Sequence, residues 1–224
     1  MAYILHIDIS SEKCTGALAR DGKVLISCDT EKKERNSAAT INIIIKAILL
    51  AERVNISDLS AVAVIGGPGS YTGLRIGLST AKGICYALDK PIILHNKLDL
   101  LALEKCSEYG DSYSYYLTVL PARAKEYFAC MYNYKREVVF ASSHIEEGAL
   151  LELIKHPNLL VTGVLEQAIV DVLNNDNIKF IENTEIDFAF WANLTLESYN
   201  CNNFSDLANS EPFYLKQVYT HKKL

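Results

Sequence analysis

The chain has 224 residues, half of them hydrophobic, with 22% charged and a net charge of −5 at neutral pH. That length is generous for one domain and comfortable for two small ones. The negative balance argues against a chain that grips nucleic acid by neutralising phosphates, and no run of about 18 apolar residues offers a membrane span.

The opening "MAYILHIDIS" carries no basic segment and places an acid at Asp8, so it reads as a strand and not as a leader. Six cysteines (Cys14, Cys28, Cys85, Cys106, Cys130 and Cys201) are scattered without a CxxC pair. They read as buried thiols of a cytoplasmic protein.

In chain order, Tyr3–Ile9 alternates as a strand. Cys14–Arg20 and Lys23–Cys28 flank Asp21-Gly22, a two-residue hairpin signal. A helix over Ala39–Val54, a strand Ala61–Ile65, the loop "GGPGSYTG" (66–73), a helix Thr72–Leu88, a strand Pro91–Leu94 and a helix Leu98–Tyr109 follow. The second half repeats that order. Strands are expected at Tyr115–Pro121, Tyr127–Asn133 and Val138–Ser142, then a helix Glu147–His156, a strand Leu159–Thr162, a helix Leu165–Leu173, a strand Lys179–Ile181 and a helix Phe188–Tyr199. Two βββαβα units predict a duplicated α/β architecture with lobes 1–112 and 113–224. The terminal "HKKL" reads as a solvated tail after an apolar "FYL" that docks on a lobe.

The glycine loop fits neither nucleotide template. A Walker loop needs GxxxxGK[ST], yet Leu74 follows Gly73 and no lysine comes before Lys82. A GxGxxG fingerprint from Gly67 meets Thr72 where glycine is required, and Pro68 removes an amide. Two readings stay open: a tight strand-to-helix turn capped by Ser70 or Thr72, or the launch of a contact helix.

The helices beside the loop bear on that choice. "TINIIIKAILLAE" (40–52) is apolar nearly all round. It must bury two faces, one on its own sheet and one on either another part of the chain or a partner. The helix 72–88 carries Gly73, Gly77 and Gly83, and each costs about 1 kcal/mol relative to alanine. Gly73, Gly77, Thr80 and Ile84 form one stripe; Leu74, Leu78, Ala81, Cys85 and Leu88 form another. The small-residue stripe suits a close helix–helix contact, either within the lobe or with a partner.

"ILHIDISSEKCTGAL", "GGPGSYTGLRIGLSTAKG" and the distant "EPFYLK" together resemble the TsaB (YeaZ) family. The resemblance runs from residue 3 to about 216, although the paralogous TsaD shares a looser form of the glycine motif. It implies an actin-like, sugar-kinase-like (ribonuclease H-like) two-lobe fold. The implied function is a non-catalytic subunit of the complex that makes N6-threonylcarbamoyladenosine in tRNA. It also implies partners: TsaD directly, the ATPase TsaE through the assembly, tRNA indirectly, and a second copy in isolation. No membrane, cofactor or metal is implied. The contact would fall on Ile41, Ile44, Ile45 and Ile48 of the first helix and on Gly73, Gly77, Thr80 and Ile84 of the second. Two departures from the family pattern are "ERNSAAT", where relatives carry a histidine, and Pro121-Ala122-Arg123, where they carry "DAR".

Two enzymatic alternatives are weaker. An actin-like ATPase needs a glycine-bearing phosphate turn in each lobe, but Asp8-Ile9-Ser10-Ser11 and Pro121–Lys125 contain no glycine. A glycoprotease-type metallopeptidase needs converging ligands, but the five histidines form neither HExxH nor HxxxH. No GxSxG elbow is present, and Cys14 or Cys130 would need a histidine that spacing does not supply.

Overall fold

Asp21 and Gly22 both adopt positive φ, 49° and 80°, the backbone that a two-residue hairpin turn demands. They join β2 (Lys13–Arg20) to β3 (Lys23–Glu31), in register from Arg20 opposite Lys23. The structure is a computed structural model and describes residues 1–31, 37–175 and 178–215. The first half of the chain also supplies β1 (Tyr3–Asp8), α1 (Ser37–Ala51), β4 (Leu59–Gly67), α2 (Tyr71–Leu88), β5 (Ile92–Asn96) and α3 (Lys97–Tyr109). The second half supplies β6 (Tyr115–Pro121), β7 (Glu126–Asn133), β8 (Val138–Glu146), α4 (Glu147–Leu153), β9 (Leu159–Gly163), α5 (Gln167–Asn175), β10 (Lys179–Glu182) and α6 (Phe188–Asn200).

Each half builds one five-stranded sheet in the same order. The first runs β3-β2-β1-β4-β5 and the second β8-β7-β6-β9-β10. In each, three antiparallel meander strands lead to two parallel ones, so the duplication expected from element order extends to topology. The parallel strand β4 is buried along almost its whole length, as its continuous "AVAVIGG" requires.

The domain division differs from the expected break at 112/113. One unit comprises residues 1–97 with 186–213, and the other 98–185 with the residues from 214 on. Helix α6 thus returns to the first unit, because Trp191 packs edge-on against His6 and His95 of the first sheet. Helix α3, which follows β5 in sequence, belongs from Leu98 to the second unit, where Asp99 accepts a 2.7 Å hydrogen bond from Ser142 Oγ.

In the first unit, α1 and α2 cover one sheet face. Ile41, Ile44, Ile45, Ile48 and Leu49 of α1 meet Leu5, Ile7, Cys14, Leu18 and Val64, with Leu78, Ala81 and Cys85 of α2 alongside. Gly16 lets α1 sit close, since a Cβ there would lie 2.8 Å from Ile44 Cγ2. Among the described residues no helix is long and apolar enough to cross a membrane.

Candidate interaction surface

The glycine loop is shaped by close approach. β4 runs through Gly67, the Gly67–Pro68 peptide is cis, and Ser70 caps α2 by accepting from the Gly73 N–H at 3.3 Å. The Ser70 N–H donates to the Ser10 carbonyl at 2.8 Å, and a Cβ on Gly69 would overlap that same carbonyl oxygen. On the other side, the Phe213 N–H donates to the Gly66 carbonyl at 2.8 Å, and a Cβ on Gly66 would lie 2.7 Å from the Phe213 ring. All three quoted motifs therefore meet here, the first through Ser10, the second through "GGPG" and the third, "EPFYLK", through Phe213. The apolar "FYL" docks through Phe213, while "HKKL" lies outside the described residues.

The turn that follows β1 is occupied by its own side chains. Asp8 Oδ1 accepts from the Ser10 N–H at 2.7 Å, and the buried Lys97 donates to Ser10 Oγ at 3.2 Å. Asp8 thus caps a turn, as a strand-end aspartate commonly does. In the second unit, the Ala122 and Glu126 amides close the turn after β6 onto Glu126 O and Arg123 O, at 2.9 and 2.8 Å. Gly163 is required by β6, because a Cβ there would overlap the Val119 carbonyl.

Nucleophile chemistry finds little support in the thiols. Burial pushes the Cys85 thiol up to about 11 and Cys106 to about 12, and raises Cys130 well above the usual range. Thiols held so far from ionisation are not nucleophiles at neutral pH. Among the described residues no group of three His, Cys, Asp or Glu side chains could hold a metal ion.

The eight residues assigned to a partner contact fall mostly inside the chain. Ile41, Ile44, Ile45 and Ile48 are buried in the first unit's own core. Their spacing is the i, i+3, i+4, i+7 stripe of a helix lying on a sheet. Gly73 and Gly77 are buried as well, and a Cβ on Gly77 would touch Val64, Ile7 and Ile9 of the sheet at 3.5–3.7 Å. Thr80 and Ile84 are half-buried on the flank of α2. The outward side of α1 instead shows Ala39, Ile43, Ala47 and Leu50, with Ile43 68% and Leu50 75% exposed. On α2, Tyr71, Arg75, Ser79, Gly83 and Tyr86 face outward; Tyr86 is 84% exposed and the space beside Gly83 is open. Sequence reasoning did not single out Ile43, Leu50 and Tyr86 as the large side chains left exposed on these helices. The signal for them was the pair of large apolar residues left over once the four-isoleucine stripe is given to the core.

Gly77 can be tested directly. Gly77→Ala is expected to stabilise the fold by up to about 1 kcal/mol through helix propensity, since its methyl meets ordinary contacts. Gly77→Leu is expected to cost about 1–3 kcal/mol by overpacking against the sheet. Thermal melts of the two variants check both signs.

A family model described as TsaD, tRNA N6-adenosine threonylcarbamoyltransferase, matches residues 30–218. The chain is 30% identical over 180 residues to the tRNA threonylcarbamoyladenosine biosynthesis protein TsaB of Bacillus subtilis, covering 76% of each. Its fold is similar to that of YeaZ from Pseudomonas aeruginosa, with a TM-score of 0.73 at 20% identity over 96% of this chain and 100% of that one. A more distant likeness, TM-score 0.51 at 12% identity, covering 90% of this chain and 100% of the other, is to an inorganic polyphosphate/ATP-glucomannokinase from Arthrobacter sp. strain KM. The two structural likenesses establish the duplicated, sugar-kinase-like fold. Matched by the family model over most of its length and aligned with a TsaB relative over three quarters of it, the chain belongs to the TsaB (YeaZ) family of tRNA threonylcarbamoyladenosine biosynthesis proteins.

Proposed function

We propose that this chain is a non-catalytic, activating subunit of a tRNA N6-threonylcarbamoyladenosine complex, and that it binds the transferase TsaD through the outward faces of α1 and α2. The observation that carries the proposal is the exposed apolar stripe Ala39, Ile43, Ala47 and Leu50 on α1, with Tyr86 also exposed on the neighbouring helix α2. Large apolar side chains clustered in water mark contact surfaces. A pair of helices from another subunit would complete a bundle over them. In isolation a second copy would take that place. TsaE and tRNA would join through the assembly, consistent with the net charge of −5.

An independent ATPase is the second reading, and the sugar-kinase-like fold is its only support. Against it stand the glycine-free turn after β6 and the engagement of Asp8 with its own Ser10 amide. A peptidase finds no converging ligand set among the described residues.

The test is reconstitution with the cognate TsaD. The purified chain is expected to show no ATP turnover or peptide hydrolysis alone, to co-elute with TsaD, and to raise its tRNA modification rate. Saturable ATP turnover by the chain alone, abolished by Asp8→Ala, would overturn this reading.

A further inference from the structure

Beneath α6 lies a polar cluster that the interaction surface does not use. On β1, Leu5 and Ile7 point towards α1 and α2, so His6 points to the opposite face. Its register partners on that face are Ala17 of β2 and Ala63 of β4, and the next row brings Ala19 and Ala61 beside Ile4. These alanines open a hollow that Trp191 of α6 fills, fully buried. The indole lies 4.8 Å from the His6 ring and 6.0 Å from the His95 ring, edge-on to both. Thr195 Oγ1, one turn further along α6, sits 3.2 Å from His95 Nε2. Among the described residues neither nitrogen of His6 nor Trp191 Nε1 has a hydrogen-bond partner.

We propose that His6, Trp191 and His95 form a proton-operated clasp: proton uptake by the two imidazoles releases α6 from the first sheet while the strands stay paired. An imidazolium has two donors, and among the described residues neither His6 nitrogen has a hydrogen-bond partner, the Ile4 backbone alone favouring the charge against its burial. The cheapest way to hydrate the charge is to lift the helix, which contributes no strand to the sheet. The chain after α6 remains pinned by Ser205 N–H to Ile92 O at 2.9 Å and by Phe213 N–H to Gly66 O.

The surrounding ionisable groups do not offset that charge. On this face β1 brings Asp8, β2 Lys13, β3 Asp29, and α6 the exposed Glu197, while β4 brings none. Asp8 is held by the Ser10 amide, and Lys13 and Asp29 pair with each other at 3.5 Å. Burial, then repulsion from His95, lowers His6 from 6.5 to about 3, against a small opposing pull from the Ile4 backbone. Burial lowers His95 to about 4. Because both values are depressed, the closed state is fully favoured above pH 6.5 and loses ground as pH falls. Each unit below that value multiplies the released population by about tenfold per ring, or about a hundredfold for both.

Trp191 is the only tryptophan in the chain and reports on its own release. Acrylamide quenching and emission maximum, followed from pH 7.5 to 4, are expected to show Trp191 becoming accessible between pH 6 and 4. Far-UV circular dichroism should keep its strand signal across that range. The population ratio should change with a slope near two protons, falling to near one in His6→Leu and in His95→Leu. If either variant fails to fold, the paired optical readouts on the wild type still decide. A Trp191 that stays inaccessible to pH 4, a single transition shared with the circular dichroism, or a slope of two kept in both variants would overturn the clasp.

Discussion

A chain carrying Ile43→Glu and Leu50→Lys together is expected to fold normally and to lose about a thousandfold in affinity for TsaD. Both side chains are exposed, at 68% and 75%, so no core contact is removed. Glutamate and lysine are good helix formers, and the lysine falls in the last turn of α1, where the macrodipole favours it. Net charge is unchanged, so long-range attraction is not the variable. If the two positions are buried on association, each desolvated charge costs about 2 kcal/mol, and about 4 kcal/mol together is the predicted loss. Self-association of the isolated chain is expected to fall in parallel. The checks are a thermal melt for the fold and calorimetry for the binding.

Gly69→Ala should do the opposite and damage the fold without touching the outward faces. The new methyl would overlap the Ser10 carbonyl oxygen and lie 2.7 Å from Ser10 Cβ, and the obstacle is main chain that cannot turn aside. Moving Ser10 disturbs three hydrogen bonds: Ser70 N–H to Ser10 O, Ser10 N–H to Asp8 Oδ1, and Lys97 Nζ to Ser10 Oγ. Leaving a buried polar group unpaired costs about 1–3 kcal/mol each. Taken near the low end of that range for all three, the expected loss is on the order of 3–4 kcal/mol, about a 10 °C fall in Tm for a chain of this size. Gly83→Ala is the control, since the space beside it is open and no loss is expected. A Gly69→Ala protein melting within about 2 °C of the wild type would show that the loop tolerates the methyl.

Element order was legible because hydrophobic periodicity and turn chemistry agreed. The Asp21-Gly22 hairpin and the strand–loop–helix around residue 66 stand close to where the sequence puts them. What pattern could not give was partnership at a distance. An amphipathic helix requires a sheet but does not say which one, so the return of α6 to the first unit was hidden until Trp191 met His6 and His95. The same limit applied to the glycine loop. Failing both phosphate templates was readable, yet Gly66 is explained by Phe213, 147 residues further along the chain. For α1, the near-continuous apolar run reads as two buried faces and favours the isoleucine-rich stripe as the partner face, whereas one face alone is buried within the chain. The structure gives that stripe to the core and leaves Ile43 and Leu50 outside. Gly77 misled for a related reason: a small residue permits close approach to a sheet as well as to a helix.

Whether the outward face of α1 is the surface that meets TsaD is tested by comparing two apolar surfaces under one chemistry. Val138 and Val139 are also exposed, on the edge strand β8 of the second sheet. Calorimetric titration of TsaD would be run with the wild type, with Ile43→Glu/Leu50→Lys, and with Val138→Glu/Val139→Lys. Wild-type affinity is expected for the β8 pair and a loss of about a thousandfold for the α1 pair. A folded α1 variant that binds as the wild type does, or a loss confined to the β8 variant, would contradict a TsaD contact on α1.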